Sequence, residues 1–169
     1  MTHSPQSLAA ALSPLVGEAH VVTDPAQMGS YLKEPRKRFL MPAAAVVSPG
    51  SVAEVQAVLA WAHAQGVGVI AQGGNTGLVG AQVPLRGDEV IVSLRRLDAV
   101  RQVNAAAGHM TVEAGVILEN AHKAAEAAGA MFPLWLASQG SARIGGRLAI
   151  IANRRALGPP RRPPQAPQS

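Results

Sequence analysis

Residues 72–80 read QGGNTGLVG and lie between two β-branched runs, residues 67–71 and 90–94. The glycines at 73, 74, 77 and 80 reach backbone conformations that side chains resist, and they let the main chain approach another surface closely. Asn75 tolerates left-handed geometry and Thr76 carries a hydroxyl. Such a loop can turn several amide groups toward one anion, which suits a phosphate or diphosphate held by main chain. A plain strand-to-strand turn fits the same residues, because short glycine patterns also arise by accident. On the loop alone both readings stay open.

Two familiar nucleotide signatures are absent. A Walker loop requires Lys and then Ser or Thr after its last glycine, whereas Leu78 and Val79 follow Gly77. Gly66, Gly68 and Ala71 match the spacing G-x-G-x-x-A, but the dinucleotide fingerprint follows a strand and opens a helix. Here those residues close a helix and form a strand, so the match is chance.

Working outward, residues 51–54 form a capping box in which Ser51 and Glu54 satisfy each other's free backbone donors. Val52, Val55, Leu59 and Ala62 recur at helical spacing, and Gly66 stops the helix. Residues 67–71 then predict a strand, which places the glycine loop at a strand's carboxyl end in a mixed α and β domain. Upstream, residues 7–16 predict a short helix, 21–23 a brief strand, Asp24 with Pro25 a capped helix start, and 44–47 a buried strand. Residues 31–38 hold Lys33, Arg36, Lys37 and Arg38, a pattern that reads by itself as a solvated loop. Downstream come a turn at 84–89, a strand at 90–94, a hairpin from 99–104 and 110–113, and a helix at 116–128 ended by Gly129. A second small-residue stretch, SQGSARIGG, occupies residues 138–146. Two such loops separated by a hairpin and a helix can grip two parts of one long ligand, which strengthens the ligand reading of each.

Composition bounds the possibilities. At 169 residues and 48% hydrophobic content the chain can bury one core but is short for two domains. With no cysteine, disulfides, thiol catalysis and thiolate metal sites are excluded, and a reducing compartment is favoured. No apolar run approaches the ~20 residues of a membrane span, and the first ten residues lack the layout of a signal peptide, so a cytoplasmic protein is expected. The net charge of +5 is unevenly placed. Residues 1–142 carry nine Lys/Arg against ten Asp/Glu, whereas residues 143–169 carry six Arg and no acid. Basicity therefore belongs to a tail.

Taken in order, the strand-end QGGNTGLVG, then VIVSLRRLDAV, MTVEAGVIL and FPLWLASQGSARIGG resemble the N-terminal part of the FAD-linked oxidoreductases of the vanillyl-alcohol oxidase superfamily. The branch most resembled contains D-2-hydroxyglutarate dehydrogenase, D-lactate dehydrogenase and the glycolate oxidase D subunit. Tyr31, Arg36, Arg38, Phe39 and the strand end at Val46, Val47 and Pro49 fit as well, so the resemblance covers about residues 24–146. It implies an α+β fold: the first subdomain of a PCMH-type FAD-binding domain, a small mixed sheet with helices, plus the start of the second. The implied division is a helical extension at 1–20, FAD-binding residues at 21–146 and a disordered Arg/Pro-rich tail at 147–169.

The resemblance also implies roles. Gly73, Gly74, Asn75, Thr76, Gly77 and Leu78 match the family's diphosphate loop, with backbone amides on the FAD phosphates and Asn75 and Thr76 fixing the turn. Ser138, Gly140, Ser141, Ile144 and Gly145 match the second flavin-contacting loop, near the ribityl chain and ring, and residues 113–115 match a strand end bordering the same cleft. In the family the flavin accepts a hydride from the α-carbon of a D-2-hydroxy acid, while the protein binds and orients it. Covalent attachment through His or Cys has no candidate in either loop, so non-covalent FAD is expected.

Beyond Gly146 the pattern breaks. The family continues with Asn, a small-residue strand and a further Asn-Ala-Gly-Gly; this chain has Arg147, then Asn153, and a Pro/Arg-rich end whose composition cannot pack a core. A truncated product, inactive alone, is the expectation, with family-like sequence in another frame of the downstream DNA as its check. The family's catalytic histidines and metal ligands lie in a part without counterpart here, so no catalytic residue is assigned. His3, His20, His63, His109 and His122 show no metal-ligand spacing, and His122 with Glu126 reads as a solvated pair. Two other classes remain: a non-catalytic module binding an anion or a partner subunit, and a tail, residues 143–162, that binds nucleic acid or serves as a polyproline ligand. The tail reading is the weaker, because no aromatic residue is there to stack on bases.

Overall fold

The computed structural model describes residues 4–39 and 41–146. Helix α1 (Pro5–Val16) starts where Ser4 accepts a hydrogen bond from the Ser7 amide, and Pro5 occupies its first turn. Strand β1 (Val21–Val22) follows. Asp24 caps only a single 3₁₀ turn, Pro25–Gln27, and the short helix α2 (Gly29–Leu32) comes after it. Strand β2 (Ala45–Val47) leads to helix α3 (Val52–Gln65) and then to β3 (Val69–Gln72) and β4 (Val90–Ser93). A hairpin, β5 (Val100–Asn104) and β6 (His109–Val112), precedes helix α4 (Leu118–Ala127).

The main sheet has the order β1-β2-β4-β3, with β1 antiparallel to β2 and the other three strands parallel. Register sets Val46 opposite Ile91 and Ile91 opposite Ile70, and at the strand ends Gln72 faces Ser93. Side chains alternate across the pleat. Ala45, Val47, Val90 and Val92 face α1 and α3, packing with Leu8, Leu12, Val16 and Val58; Val46 and Ile91 face Met28 and Tyr31 on the other side. Both faces are covered, which is why the central strands read as unbroken apolar runs. Each full-length apolar side chain buried here contributes roughly 1.5–3 kcal/mol.

The structure sets which face of α3 is buried. Val58 and Ala62 are its buried residues, while Val52 and Leu59 are 54% and 46% exposed. The helix is apolar nearly all round, so spacing alone did not select a face; the position of the sheet did. The capping box is also displaced: Ser51 accepts from the Glu54 amide at 3.1 Å, but Glu54 reaches the Gly50 amide at 2.7 Å rather than that of Ser51. Gly66, at φ +64°, ends the helix in the left-handed conformation as expected.

A second, smaller core lies under the hairpin and α4. Val116, Leu118, Ala121 and Ile144 form its buried centre, with Met110, Val112 and Phe132 packed around them. The architecture is thus one complete small sheet layer with the start of a second layer beside it. The expected disordered tail lies outside the described residues, as do all of residues 147–169. Among the described residues no helix is long and apolar enough to cross a membrane.

Candidate functional site

The glycine loop leaves β3, an edge strand of the sheet, at the carboxyl edge of the parallel strands. Gln72 is fully buried there, and its Nε2 donates to the carbonyls of Tyr31 at 2.8 Å and Gln82 at 2.7 Å. Asn75 sits at φ +55°, and its Nδ2 reaches the carbonyls of Ser30, Tyr31 and Lys33 at 3.2, 3.2 and 2.8 Å. One amide side chain therefore ties the loop to the end of α2. Gln82 Nε2 donates to the Gly77 carbonyl at 2.7 Å and closes the loop from its far side.

With the loop so fixed, its own main chain is left over. Among the described residues, none of the backbone amides from Gly73 to Leu78 donates to a protein acceptor. Backbone donors are normally paired wherever water is restricted, so a run of amides without a protein acceptor on a fixed loop is free to bond water or an anion.

The second stretch, residues 138–146, has the opposite character. The Ser141 and Ala142 amides donate to the Ser138 carbonyl, that of Ile144 to Val116, and that of Gly145 to Ala114. Leu118 and Glu119 amides in turn donate to Ala142 and Gln139, and Ile117 bridges Arg143 in antiparallel fashion. This stretch is a wall stitched to the start of α4 rather than a second cradle.

The two stretches meet. A Cβ on Gly74 would lie 1.9 Å from the Ser141 carbonyl oxygen, so main chain touches main chain across the crevice. A Cβ on Gly73 would stand 3.3 Å from Arg143 Cβ. The resulting groove has a volume of about 250 Å³ and brings together Gly73, Gly74, Asn75, Thr76, Gly77 and Ser138 of the expected residues. The other expected residues sit elsewhere. Leu78 is half exposed, Ser141 abuts Gly74 through its backbone, Gly140 lies nearest Glu119, Ile144 is buried in the smaller core, and Gly145 packs on Ala114. The groove also recruits Ala71, Ala81, Gln82, Arg143 and Gly146, which sequence reading did not assign to it. Of these only Arg143 gave a signal in the sequence, a cation inside an otherwise small-residue stretch.

Polarity concentrates at the same place. Gln72 Oε1, Asn75 Oδ1, Ser93 Oγ and Arg143 Nε are buried without a hydrogen-bond partner among the described residues. Such orphaned atoms carry a desolvation cost, and of the four residues Asn75 and Arg143 line the groove. The Arg143 guanidinium donates to the main-chain carbonyls of Arg95, at 3.3 Å, and Gly115. Burial and, next, the charge of Arg95 push its pKa below the usual arginine range, with the charge of Asp98 opposing.

Carboxylates that accept from backbone brace turns at both ends of the sheet, Glu34 beside the glycine loop and Glu89 at the opposite, amino-terminal edge of β4. Glu34 accepts from the Arg36 and Arg38 amides, and the Arg38 bond, against the opposing effect of burial, holds its carboxyl below the ordinary range with help from Arg36. Its charge is spent on this turn, so Lys33, Arg36, Lys37 and Arg38 project as exposed cations beside the loop. For Glu89, burial disfavours the ionised form, but the Arg86, Gly87 and Leu85 amides outweigh it and lower the pKa. His122 departs from the expected solvated pair: its ring packs 4.5 Å from Trp135 and 5.8 Å from Phe132, and Nε2 lies 2.7 Å from the Leu134 carbonyl. Among the described residues no group of three or more His, Asp or Glu is gathered to hold a metal.

Comparison with known proteins agrees with this geometry. Residues 43–154 match the family model described as an FAD binding domain. A D-2-hydroxyglutarate dehydrogenase of Xanthomonas citri pv. viticola is 42% identical over 130 residues, which cover 77% of this chain and 27% of that protein. The D-2-hydroxyglutarate dehydrogenase of Stutzerimonas stutzeri is 34% identical over 141 residues, covering 83% and 30%. The chain thus spans less than a third of the length of these relatives. Among solved structures, an alkyldihydroxyacetonephosphate synthase superposes with a TM-score of 0.75 at 21% identity, over 87% of this chain and 29% of that one, which shows a shared fold.

Proposed function

The chain belongs to the FAD-binding-domain family, and from that premise we propose that the loop at residues 73–78 holds the FAD diphosphate while residues 138–146 wall the ribityl chain and ring. The observation that carries this reading is the run of unpaired amides from Gly73 to Leu78, on a loop that lines the groove where Gly74 and Ser141 meet by backbone contact. A diphosphate needs several converging donors, which this loop has to spare. A flat ring needs close walls, which the second stretch, stitched to the start of α4, offers. The orphaned Oδ1 of Asn75, a residue that lines the groove, fits a polar ligand at this edge. Leu78, Gly140, Ile144 and Gly145 act in this proposal from behind the groove, by fixing the backbone that lines it.

When bound, FAD supplies a two-electron acceptor for substrate oxidation. The residues of this chain bind and orient it. Asn75 and Gln82 hold the cradle in shape, Gly74 lets the second wall approach, and Gly115 lets the β6–α4 turn lie against the Leu94 and Leu97 carbonyls. No catalytic residue is assigned within residues 4–146. The reaction class proposed for the whole protein is oxidation of a D-2-hydroxy acid at its α-carbon, supported by the two bacterial relatives named above. Non-covalent attachment belongs to the same proposal, since neither glycine stretch contains His or Cys. So do residues 21–146 as the FAD-binding unit with 1–20 as its helical extension. A cytoplasmic location, supported by the cysteine-free composition, completes it, and cell fractionation tests that point.

The experiment is direct. Chain incubated with FAD is passed through gel filtration, and flavin absorbance should travel with the protein peak and be released on denaturation. Protein eluting folded but colourless after saturation with FAD refutes the binding assignment. Flavin that stays attached after denaturation refutes the non-covalent part alone.

A further inference from the structure

The proposed cradle explains how main chain meets a diphosphate, but it leaves Arg143 without a task. This residue lines the groove, stands against Gly73 at the start of the loop, and carries a formal charge that forms no ion pair among the described residues. Among the described residues neither Arg143 nor its neighbour Arg95 has a carboxylate within ion-pair distance. Arg95 lies over the Tyr31 ring at 5.1 Å, and Arg143 reaches back to the Arg95 carbonyl. Arg143 thus lines the groove with the Arg95 charge near enough to disfavour its own, offset by two carbonyl acceptors and the charge of Asp98. Like charges so placed repel, and partial burial strips them of water. A ligand carrying two negative charges removes both costs at once.

Resting on the flavin-site reading above, we propose that Arg143, backed by Arg95, is the charge partner of the FAD diphosphate and makes this groove selective for diphosphate-bearing ligands. Arginine suits the task, because its planar fork places two N–H groups on phosphate oxygens and its charge persists at any physiological pH. Its Nε, buried and unpaired, is the donor still to be satisfied. Arg143 then works beside the cradle: the amides fix where the phosphates sit, and the two cations fix how much negative charge the site demands. Selectivity follows from that division. A flavin lacking phosphate meets the same walls but leaves the repelling pair exposed to each other.

The test uses the full chain, with FAD, ADP and riboflavin as probes and affinities read from flavin fluorescence quenching and calorimetry. Arg143→Gln is expected to weaken FAD and ADP about 10- to 100-fold, the range for losing one charge-assisted hydrogen-bonded contact, while riboflavin changes little. Arg143→Lys keeps the charge and is expected to recover part of the loss. Raising salt should weaken FAD on the wild type more than on Arg143→Gln. Equal loss of riboflavin and FAD in the Gln variant, or a Lys variant no better than Gln, overturns the charge role and leaves Arg143 as a structural staple between Arg95 and Gly115. Wild-type uptake of FAD with no change in Arg143→Gln overturns it too. Wild-type protein that takes up none of the three probes overturns the flavin-site reading itself, and the charge proposal falls with it.

Discussion

Replacing Gly74 with alanine tests the contact on which the groove depends. The added Cβ would stand 1.9 Å from the Ser141 carbonyl oxygen and 2.9 Å from its carbon, where real side chains essentially never come within 3.0 Å. The neighbour is backbone stitched to α4, so it cannot swing aside as a side-chain tip would. The loops must separate by about 1.1 Å merely to reach that limit. Overpacking of this kind costs about 2 kcal/mol, which for a chain of this length lowers Tm by about 4–8 °C. The effect on FAD should be larger. Amide-to-phosphate bonds of about 2.9 Å would lengthen toward about 4 Å, beyond hydrogen-bonding range. Losing two charge-assisted bonds costs about 3–6 kcal/mol, so affinity should fall at least about 100-fold. The assay pairs flavin fluorescence titration with thermal denaturation. Gly29→Ala serves as the control, since nothing lies within 4 Å of its added Cβ. A Gly74→Ala chain that binds FAD within about threefold of wild type and melts within about 1 °C would refute the reasoning.

Further outcomes follow from other parts of the structure. Asn75→Gly keeps the left-handed backbone but loses the ties to Ser30, Tyr31 and Lys33; it should lower stability by about 1–3 kcal/mol and loosen FAD, and denaturant unfolding without change would contradict the tie. Leu12→Ala, in the core beneath the sheet, should cost about 2–5 kcal/mol by the same assay, and removing residues 1–20 should cost more. An unaffected deletion would show that α1 is a dispensable extension. Glu89→Gln should destabilise at neutral pH, because the folded carboxyl has a pKa below its unfolded value of about 4.3. That stabilisation is complete above the unfolded pKa and lost as pH falls through the folded one. The difference in Tm between wild type and Glu89→Gln should therefore shrink below about pH 4, and a gap independent of pH would sink the assignment.

What the chain's residues determined by themselves was mostly local. Ser51, Gly66 and Gly129 mark helix ends through backbone geometry and nearby hydrogen bonds, and the apolar runs mark strands buried on both faces. The glycine loop and its position at a strand end were legible for the same reason: the conformations open to Gly73, Gly74, Asn75 and Gly77 depend on the residues themselves. The joint order of several such blocks then pointed to the family.

Tertiary structure decided what depends on a distant partner. The buried face of α3 was set by the sheet beneath it, because an almost wholly apolar helix offers no pattern from which to choose. Glu54 shifted its bond to Gly50, and His122 turned to Trp135 and Leu134, according to what the folded chain placed within reach. The unequal use of backbone donors was likewise invisible in two stretches of similar composition. One lies free at a crevice with its amides unspent, while the other is stitched to the start of α4, and only the packing of the two layers determines which is which. Arg143 joined the site for that reason: pairing residues 114–119 with 139–145 brings its side chain against Gly73 and beside Arg95, a juxtaposition that spacing along the chain does not encode.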